Sequence, residues 1–468
     1  MFNWDDRALA VLRRLERNGH RAVLVGGCVR DSLLGIPPHD YDAATSALPE
    51  EIMAACGDLT CLDIGLKHGT VTVLSEGIPV EVTTFRRETT YSDHRHPDGV
   101  EFTGELAEDL ARRDFTVNAI AWEAHGLSDP FGGLEDLKRR LVRCVGDPDR
   151  RFEEDALRIL RGLRLAAQLQ FAIHPDTAAA IRRHAADLSH VARERVWAEF
   201  SRLLCSPGAK QVLLDFPEVV CQVIPELAPC VGFDQKNFHH RYDVYTHCVK
   251  ALNAAPPLLP LRLAALLHDV GKPDTFHMDE DGVGHFYGHP VVSAALTDTA
   301  LRRLKLPNAL REQVLLLVER HDLPVFPDRK WVGRWLAKLG EENFFLLLRL
   351  KEADRAACAD PTPPDPDPLE QAEELARTLL AEKACFSLRD LAVNGRDCMA
   401  AGLSGKAVGE TLAWLLERVS EGELENVREL LLEELRKTPP QSPPAAATAP
   451  PLRGSQVSVF RHKKSSSS

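Results

Sequence analysis

The chain has 468 residues, 44% of them apolar, with 57 lysines and arginines against 69 aspartates and glutamates. The length predicts two to four domains, and the net charge of −12 excludes nucleic-acid binding over the whole surface while leaving room for a local basic groove. No apolar run reaches the roughly 18 to 20 residues of a membrane span, and no secretory signal opens the chain, so we expect a cytoplasmic protein without a membrane partner. The eleven cysteines contain no C-x-x-C pair, so we expect neither a disulfide scaffold nor a zinc finger.

The chain begins with a region in which short β-branched runs alternate with helical patterns, from residue 1 to about 145. The runs are AVLV from residue 22, TVTVL from 70, IPVEVTTF from 78 and LVRCV from 141, and EEIMAAC and GELAEDLARRD carry helical spacing between them. This alternation predicts an α/β head with a small sheet. Residues 146–230 and 231–358 have apolar residues at helical spacing, so two all-α regions should follow and the fold class should be α+β.

The string ADPTPPDPDP at residues 359–368 should be a linker. Successive prolines remove hydrogen-bond donors and force extended backbone, so a helix cannot form there. A short helical module is predicted over residues 369–437. Residues 438–468 have too little apolar content to offset the entropy of ordering, and we expect a disordered tail.

The segment AVLVGGCVRDSLLGIPPHDYD, residues 22–42, reads as strand, Gly-Gly turn, helix, Pro-Pro break and strand. Gly26 and Gly27 lie where the first strand passes into the helix, and without Cβ atoms they let backbone amides approach a ligand at the positive helix end. Arg30, one turn further, adds a guanidinium. These features predict a triphosphate site, although an ordinary strand-to-helix turn would use the same glycines.

Two aspartates follow at the start of the second strand. Residues i and i+2 of a strand project from one face, so Asp40 and Asp42 would present two carboxylates together while Tyr41 points into the core. Such a pair favours a cation, and we expect Mg²⁺ ions that bridge nucleotide phosphates and activate an attacking hydroxyl. Glu81 has the alternation to face the same site. A solvated D-x-D at a strand end is the alternative interpretation.

GG-x-VRD-x-LLG followed by D-x-D resembles the head of the bacterial class II tRNA nucleotidyltransferases, which comprise CCA-adding enzymes and bacterial poly(A) polymerases. Similar segments follow in the same order: GLKHGTVTV at 65, EVTTFR at 81, YSDHRHPDGVEF at 91, RRDFTVNAIAW at 112, SDPFGGLEDL at 128, EEDALRILRGLRLAAQLQF at 153 and ERVWAEF at 194. The resemblance is close from residue 20 to about 230, and the segment LAVNGRDCMAAG at 391 resembles the C-terminal part of these enzymes. It implies addition of C, C and A to the 3′ end of tRNA from CTP and ATP, without a nucleic-acid template.

Untemplated base selection needs side chains that replace a complementary base. On a helix, residues i and i+3 lie on neighbouring faces, so the Asp155 carboxylate and the Arg158 guanidinium can be presented together. The carboxylate would accept from the amino group of C or A, and the guanidinium would donate to the adjacent ring acceptor; G and U invert this pattern. A surface ion pair is the alternative interpretation.

More arginines continue along the same predicted helix. Each step of three residues along a helix falls 60° short of a full turn, so three steps place Arg164 on the side of the helix opposite Asp155. Arg161 and Arg164 therefore cannot read the same base edge. The resemblance implies that these two arginines bind nucleotide or order the pocket, and that Arg112 holds ribose or phosphate. Arg113 reads as a charge on a helix face.

One segment separates CCA addition from poly(A) addition. The poly(A) polymerases carry a segment resembling G-R-R-F-x-x-x-H after the D-x-D strand, whereas this chain has GLKHGT at residues 65–70. The difference favours CCA addition. Specialisation for CC or for A alone stays open.

The middle helical region carries a second set of metal-ligand residues, in the order H, HD, D that resembles the HD phosphohydrolase superfamily. These residues are His247, His268, Asp269 and Asp354, with Lys272 nearby. Imidazoles and carboxylates suit Ni²⁺, Mn²⁺, Co²⁺ or Zn²⁺, and water made acidic by the metal would attack a phosphate ester. His289 and His321 could serve a second ion. The resemblance implies RNA-end or nucleotide phosphates as substrates, such as 2′,3′-cyclic phosphates.

We therefore predict a tRNA nucleotidyltransferase with a catalytic head (1–145), a base-selecting neck (146–230), an HD domain (231–358) and a tRNA-binding module (369–437). The basic residues of 138–164 should form the tRNA groove, with salt-dependent binding. Two alternatives belong to other classes: a phosphohydrolase whose head only grips RNA, and an RNA-binding protein with two silent sites. The oligomeric state stays open.

Overall fold

The computed structural model describes residues 4–65, 69–88, 99–237, 241–359, 362–382 and 384–437. Their residues form two compact units, Met1–Pro324 with Phe345–Asp365, and Val325–Phe344 with Pro366–Ser468. This division differs from the predicted boundaries, because residues 325–344 lie within the predicted HD domain but belong to the second unit. The predicted tail, 438–468, lies outside the described residues. No helix in the described ranges has both the length and the apolar composition needed to cross a membrane.

The head is a mixed sheet with helices around it, as predicted. Its strands are β1 (Ala22–Val25), β2 (Tyr41–Thr45), β3 (Thr60–Gly65), β4 (Thr70–Ser75), β5 (Ile78–Thr84), β6 (Arg86–Glu88), β7 (Val100–Phe102), β8 (Ala121–Glu123), β9 (Gly126–Ser128) and β10 (Leu141–Val142). Its helices are α1 (Asp6–Arg17), α2 (Gly27–Leu33), α3 (Pro49–Ala55), α4 (Leu106–Ala111) and α5 (Gly133–Arg139). The main sheet has the order β3-β4-β5-β2-β1-β8-β9, in which β2 and β5 are parallel and the other neighbours antiparallel.

Burial explains why these segments are strands. All four residues of β1 are buried, and β4 alternates between buried and half-buried residues, so one face of β4 packs on the core. The head core gathers side chains of β1, β2 and α4 around Phe85, which is fully buried. Parallel pairing of β2 with β5 puts Asp42 opposite Glu81, which brings two of the predicted acidic residues side by side at the sheet centre.

The rest of the first unit is largely helical, as predicted. Its helices are α6 (Pro148–Glu154), α7 (Leu157–Leu169), α8 (Pro175–His184), α9 (Arg193–Leu204), α10 (Ala209–Asp215), α11 (Pro217–Val223), α12 (Val244–Ala254), α13 (Leu259–Leu267), α14 (Lys272–Thr275), α15 (His289–Arg303), α16 (Asn308–Arg320) and the end of α17 (Arg329–Ala357). Two short strand pairs depart from the all-α prediction. Strand β11 (Ala172–Ile173) runs parallel to β10, and β12 (His277–Met278) pairs with β13 (Gly284–His285) in a hairpin.

The second unit contains the start of α17 and four further helices, α18 (Pro368–Ala381), α19 (Gly395–Ala400), α20 (Lys406–Ser420) and α21 (Arg428–Lys437). Helix α17 is interrupted at Gly340, whose φ of 75° only glycine adopts at low cost. Residues 362–367 are not helical, as the prolines predict. Helix α18 nevertheless begins at Pro368, inside the predicted linker, because proline suits the first helical turn and the Asp367 side chain caps it.

Candidate functional sites

The Gly-Gly turn lies at the end of β1, as predicted. Gly26 has a φ of 76°, and a Cβ added there would lie 3.2 Å from Asp42 Oδ2 and 3.3 Å from Arg113 Nη1. Any larger residue would therefore strain the backbone and crowd a carboxylate and a guanidinium. The glycine leaves room for two side chains of opposite charge beside the end of β1.

The predicted acidic residues lie around this turn. Strand β2 begins at Tyr41, so Asp40 precedes the strand and is exposed, while the Tyr41 side chain is buried as predicted. Burial raises the pKa of Asp42, Arg113 opposes the rise, and the nearby carboxylates of Glu81 and Asp40 add to it. The charged form of Asp42 is therefore disfavoured, and a divalent cation would relieve this.

Asp42 lines a cavity of about 390 Å³, called here the head cavity. Its charged lining residues are Asp42, Asp114, Asp155, Arg86, Arg112, Arg113, Arg158 and Arg161. Five arginines against three carboxylates give this part of the acidic protein a local positive charge, which suits a polyanionic ligand. Arg113 was predicted to be a charge on a helix face, and that prediction is wrong, since its side chain is 17% exposed and faces the cavity.

A buried aspartate that sequence reasoning missed orients two of these arginines. Asp109 is fully buried, and its carboxylate accepts from Arg112 at 2.7 Å and from Arg113 at 3.3 Å. The spacings of i+3 and i+4 within GELAEDLARRD are the signal that could have found it. A charged carboxylate survives burial here because two guanidiniums neutralise it.

Asp114 is a second residue that the sequence did not single out. Burial alone would raise its pKa, but Arg161, bound at 2.8 Å, together with Arg158 and Asn118, holds the pKa at about 2. Asp114 therefore stays ionised and fixes Arg161 at the cavity wall. Arg161 lines the head cavity, and its binding to nucleotide stays a prediction.

The predicted helix that carries Asp155 and Arg158 is broken between them. Asp155 has extended backbone (φ −149°, ψ 104°) after α6, and α7 begins two residues later. The break needs no glycine or proline, because the Asp155 side chain accepts from the Leu157 backbone amide at 3.0 Å and from Arg195 at 2.9 Å. The helical i, i+3 geometry was therefore wrong, yet both side chains line the head cavity.

Arg158 is also held in place. Its guanidinium pairs with Glu154 and donates to the Arg151 carbonyl at 3.1 Å and the Arg112 carbonyl at 3.4 Å. The two side chains proposed to read a base are therefore fixed before a base arrives.

Asp40 and Glu81 are not among the residues that line the head cavity, and neither are Arg30 and Arg164. The Arg30 guanidinium pairs with Asp31 at 2.7 Å and donates to Asn118 at 2.7 Å, and Asn118 is a lining residue. Arg164 pairs with Glu199 and donates to Gln168 at 2.7 Å. Their direct contact with nucleotide stays a prediction, as does the discriminating segment at 65–70, of which residues 66–68 lie outside the described ranges.

The six histidines and aspartates predicted in the middle region come together in one buried group, called here the HD cluster. Its members are His247, His268, Asp269, His289, His321 and Asp354. On one side, His247 Nε2 lies 2.9 Å from Asp354 Oδ1 and 3.3 Å from His268 Nε2. Two overlapping sets of three ligand atoms, His247–His268–Asp354 and His268–Asp269–His321, are close enough to hold a metal ion.

Asp269 lies between the two sides of the HD cluster. Its Oδ2 is 3.2 Å from His268 Nε2, whereas its Oδ1 is 3.3 Å from His289 Nε2 and 3.5 Å from His321 Nε2. Burial alone would raise the pKa of Asp269, but His268 and Lys272 hold it well below its usual range. The carboxylate is thus ionised, with one oxygen facing each side.

The tautomers of three histidines suit metal binding. The Nδ1 atoms of His268, His289 and His321 lie 2.7–2.9 Å from the carbonyls of Ala265, Phe286 and Val318, and a carbonyl can only accept, so each Nδ1 must donate. When these imidazoles are neutral, each Nε2 carries a lone pair directed into the cluster, which is the arrangement of metal-ligating histidines. The residues present therefore fit a transition-metal ion.

Similarity to known proteins identifies the family of this chain. Three family models match: "Poly A polymerase head domain" over residues 22–143, "Probable RNA and SrmB- binding site of polymerase A" over 170–228, and a tRNA nucleotidyltransferase domain 2 over 291–435. A crystal structure of the Bacillus stearothermophilus CCA-adding enzyme in complex with CTP has a TM-score of 0.72 and 33% identity, and covers 92% of this chain and 96% of that chain.

Similarity extends along almost the whole length. The CCA-adding enzyme of Geobacillus kaustophilus is 36% identical over 429 residues, which are 91% of this chain and 95% of that enzyme. Identity rises to 50% over 208 residues in the CCA-adding enzyme of Geobacillus thermodenitrificans, an alignment that covers 44% of this chain and 51% of that enzyme. The chain therefore belongs to the bacterial class II CCA-adding enzymes, tRNA nucleotidyltransferases that share the poly(A) polymerase head.

Proposed function

We propose that this chain adds C, C and A to the 3′ end of tRNA from CTP and ATP, without a nucleic-acid template, and that the reaction takes place in the head cavity. One observation supports this site above the others. Asp42 and the Asp155–Arg158 pair are more than a hundred residues apart in sequence but line the same arginine-rich cavity. Groups suited to nucleotidyl transfer and groups suited to base recognition thus face one space.

Asp40 and Asp42 are the residues that would hold Mg²⁺, with Glu81 beside them. Bound there, Mg²⁺ supplies charge stabilisation for an in-line displacement at the α-phosphate. The 3′ oxygen of the tRNA forms a bond to the α-phosphorus, the bond to the bridging oxygen of the β-phosphate breaks, and pyrophosphate leaves with that electron pair. The turn at Gly26 keeps the space beside Asp42 open for the phosphates.

The cavity arginines would bind the triphosphate. Arg112 and Arg113 are held by Asp109, and Arg161 is held by Asp114, so these guanidiniums are oriented before the nucleotide binds. Arg30 would also support the cavity wall through Asn118, beside the direct triphosphate contact that the sequence predicts for it.

Asp155 and Arg158 would select the base. A carboxylate that accepts from an exocyclic amino group, beside a guanidinium that donates to a ring nitrogen, satisfies both cytosine and adenine. Guanine and uracil would place a carbonyl against the carboxylate and an N–H group against the guanidinium, and such mismatches cost about 1–3 kcal/mol per pair. Arg195 and Glu154 keep the two reading groups in position.

The assay that tests this function uses tRNA that ends before CCA, supplied with CTP, ATP or both, and reads the product at single-nucleotide resolution. We expect two C additions with CTP alone and CCA with both nucleotides. A-tailing with ATP alone would instead support a poly(A) polymerase. Extension by C only, or by A only on tRNA ending in CC, would indicate the specialised CC-adding or A-adding activity.

We further propose that the HD cluster is a metal-dependent phosphohydrolase site that acts on RNA-end or nucleotide phosphates. The arrangement of ligand atoms favours this function, because imidazole nitrogens and two ionised carboxylates converge in a group that is buried except for the Asp354 side chain, which is 30% exposed. Ni²⁺, Mn²⁺, Co²⁺ or Zn²⁺ bound there would lower the pKa of a water molecule. Asp269 could serve two ions, since its two oxygens face different histidines.

This second function is tested by incubating the purified protein with a nucleoside 2′,3′-cyclic phosphate and each metal, and by measuring bound metal after dialysis. We expect hydrolysis to a phosphomonoester and one or two bound ions per chain. Metal binding without hydrolysis would show a silent site. The tRNA groove at residues 138–164 and the cytoplasmic location stay predictions.

A further inference from the structure

We propose that the exposed ring of Tyr287 is a stacking platform for the base of the HD cluster's substrate, so that the site selects nucleoside 2′,3′-cyclic phosphates over cyclic phosphates that carry no base. The inference rests on the proposed phosphohydrolase function. It adds a specificity-determining residue and a substrate feature to that site. The nucleoside moiety could be a free nucleotide or the 3′ end of an RNA, since both present the same chemistry.

Tyr287 lies beside the HD cluster in a tight turn. The His289 amide donates to the Phe286 carbonyl at 3.1 Å, and Gly288 has a φ of 78°, which marks a turn from Phe286 to His289 with Tyr287 at its tip. The Tyr287 side chain is 76% exposed. His289 points into the cluster, and two residues span at most about 7 Å between Cα atoms, so the ring lies within nucleotide reach of the site.

The ring is held in a fixed orientation. His285 and Tyr287 stack with ring centroids 5.4 Å apart and planes inclined by 6°. The His285 Nε2 atom lies 2.7 Å from Asp279 Oδ2, and Asp279 also accepts from the backbone amide of Val283 at 2.8 Å. One face of the Tyr287 ring therefore packs on a histidine that is itself held by hydrogen bonds. Because the ring is already ordered, the entropy cost of stacking a base on it is reduced.

The other side of the turn is tied to the metal ligands. The Phe286 ring packs on Phe276 at 5.7 Å, and Lys272 Nζ lies 5.1 Å from the Phe286 ring centroid. The same Lys272 Nζ is 2.7 Å from Asp269 Oδ2. The position of the platform relative to the cluster is thus set by packing, which would fix the distance from base to phosphate.

Two exposed apolar side chains belong to elements that adjoin the turn in the chain or pair with its hairpin. Val291 is 66% exposed at the start of α15, and Met278 is 53% exposed on β12, the strand that pairs with β13. Single exposed apolar residues are ordinary, but a braced aromatic stack with apolar neighbours at a metal cluster suits a flat ligand with a π face. Nucleobases stack on such rings with little regard to sequence.

The reaction itself does not involve the base. Water supplies the oxygen of the new P–O bond, one of the two P–O bonds to ribose breaks, and the released ribose oxygen takes the proton. Stacking therefore acts on binding, and its loss should raise KM without lowering kcat. By the usual strength of base stacking, removing the ring should weaken binding roughly 5- to 100-fold.

The test compares adenosine 2′,3′-cyclic phosphate with methyl riboside 2′,3′-cyclic phosphate, which has the same reacting group and no base. In Tyr287→Ala we expect KM for the nucleotide to rise roughly 5- to 100-fold with kcat unchanged, and KM for the riboside to stay the same. Tyr287→Trp should retain tight binding. Leu258→Ala, a change at an apolar residue that is 51% exposed elsewhere, is the matched control, and unchanged CCA addition confirms folding.

Calorimetric binding of adenosine 2′-phosphate, the expected type of product, gives a readout that does not depend on turnover. Weaker binding in Tyr287→Ala supports the platform, and equal binding overturns it, as does an equal loss on both cyclic substrates. If the unmodified protein hydrolyses neither substrate, the phosphohydrolase function fails, and the calorimetry still decides the platform. A short RNA with a terminal 2′,3′-cyclic phosphate identifies the source: a KM increase on this RNA supports RNA ends, and an increase on the mononucleotide alone supports free nucleotides.

Discussion

The head cavity and the HD cluster both rely on carboxylates, but their surroundings differ. In the head, Asp40 is exposed and Asp42 half-buried, and arginines outnumber carboxylates along the wall. In the HD cluster, Asp269 is 2% exposed and imidazoles face both of its oxygens. An open, arginine-rich space suits a large polyanion that must enter and leave at each addition, whereas a mostly buried group of imidazoles and carboxylates suits a small ion that stays.

The comparison implies that the two sites can be disabled separately. The head cavity is lined by residues of β1, β2 and α7 and of the loop after α4, whereas the HD cluster uses α12, α15, α17 and the residues that follow α13 and α16. No described residue belongs to both sites. Single substitutions should therefore separate nucleotidyl transfer from phosphate hydrolysis.

The largest expected effect follows from Asp40→Ala. Removing one carboxylate from the proposed Mg²⁺ site should reduce CCA addition by about 10³-fold or more, because charge stabilisation at the phosphate is worth several kcal/mol. Asp40 is exposed, so the melting temperature and tRNA binding should change little. Primer-extension rates on tRNA lacking CCA measure the effect, and hydrolysis at the HD cluster is the internal control. Incorporation at the unmodified rate would refute the assignment.

The reciprocal substitution is Asp354→Asn, which removes the charged carboxylate that faces His247 and His268 as a proposed metal ligand. We expect hydrolysis of 2′,3′-cyclic phosphates to fall at least about 100-fold, because metal affinity depends on every donor and on its partners. CCA addition should be unchanged. Metal content after dialysis distinguishes a lost ion from a changed reaction, and full metal occupancy with normal hydrolysis would contradict the ligand role.

A smaller effect is expected from Asp155→Ala, which should loosen base selection while leaving chemistry intact. Loss of one hydrogen-bonding partner to the base should reduce discrimination against GTP and UTP about 10-fold. Arg195→Gln, which removes the ion pair between Arg195 and Asp155, should give a milder change of the same kind. The ratio of kcat/KM for CTP and UTP measures both. Unaltered rejection of UTP in Asp155→Ala would count against recognition by these side chains.

The sequence predicted the features that are local in the chain. Runs such as AVLV became strands because every residue of β1 is buried, and the Gly-Gly turn is where the steric argument put it. The histidines and aspartates of the HD cluster were also identified, from the order H, HD, D that resembles the HD phosphohydrolase superfamily. Their assembly into one cluster, with Asp269 between two sides, required the tertiary structure.

Long-range pairing explains what the sequence could not predict. The break at Asp155 is supported by the local Leu157 amide and also by Arg195, which lies 40 residues away, and the second of these contacts cannot be predicted from EEDALRIL. The roles of Asp109 and Asp114 depend on which arginines form ion pairs with these buried carboxylates. Arg30 likewise pairs across 88 residues with Asn118, a contact that no spacing rule anticipates.

The smallest expected effect on activity is that of Arg164→Ala. The helical rotation placed this residue opposite Asp155, and in the structure its guanidinium pairs with Glu199 and donates to Gln168. We therefore expect kcat/KM for both nucleotides to change less than about 2-fold, while the loss of a part-buried ion pair costs roughly 1–3 kcal/mol of folding stability. Denaturant unfolding and primer extension measure the two quantities. A double-mutant cycle with Glu199→Ala separates this pair from direct nucleotide contact: coupling in stability with unchanged KM supports a structural role, whereas a raised KM in Arg164→Ala alone would return this arginine to the nucleotide site.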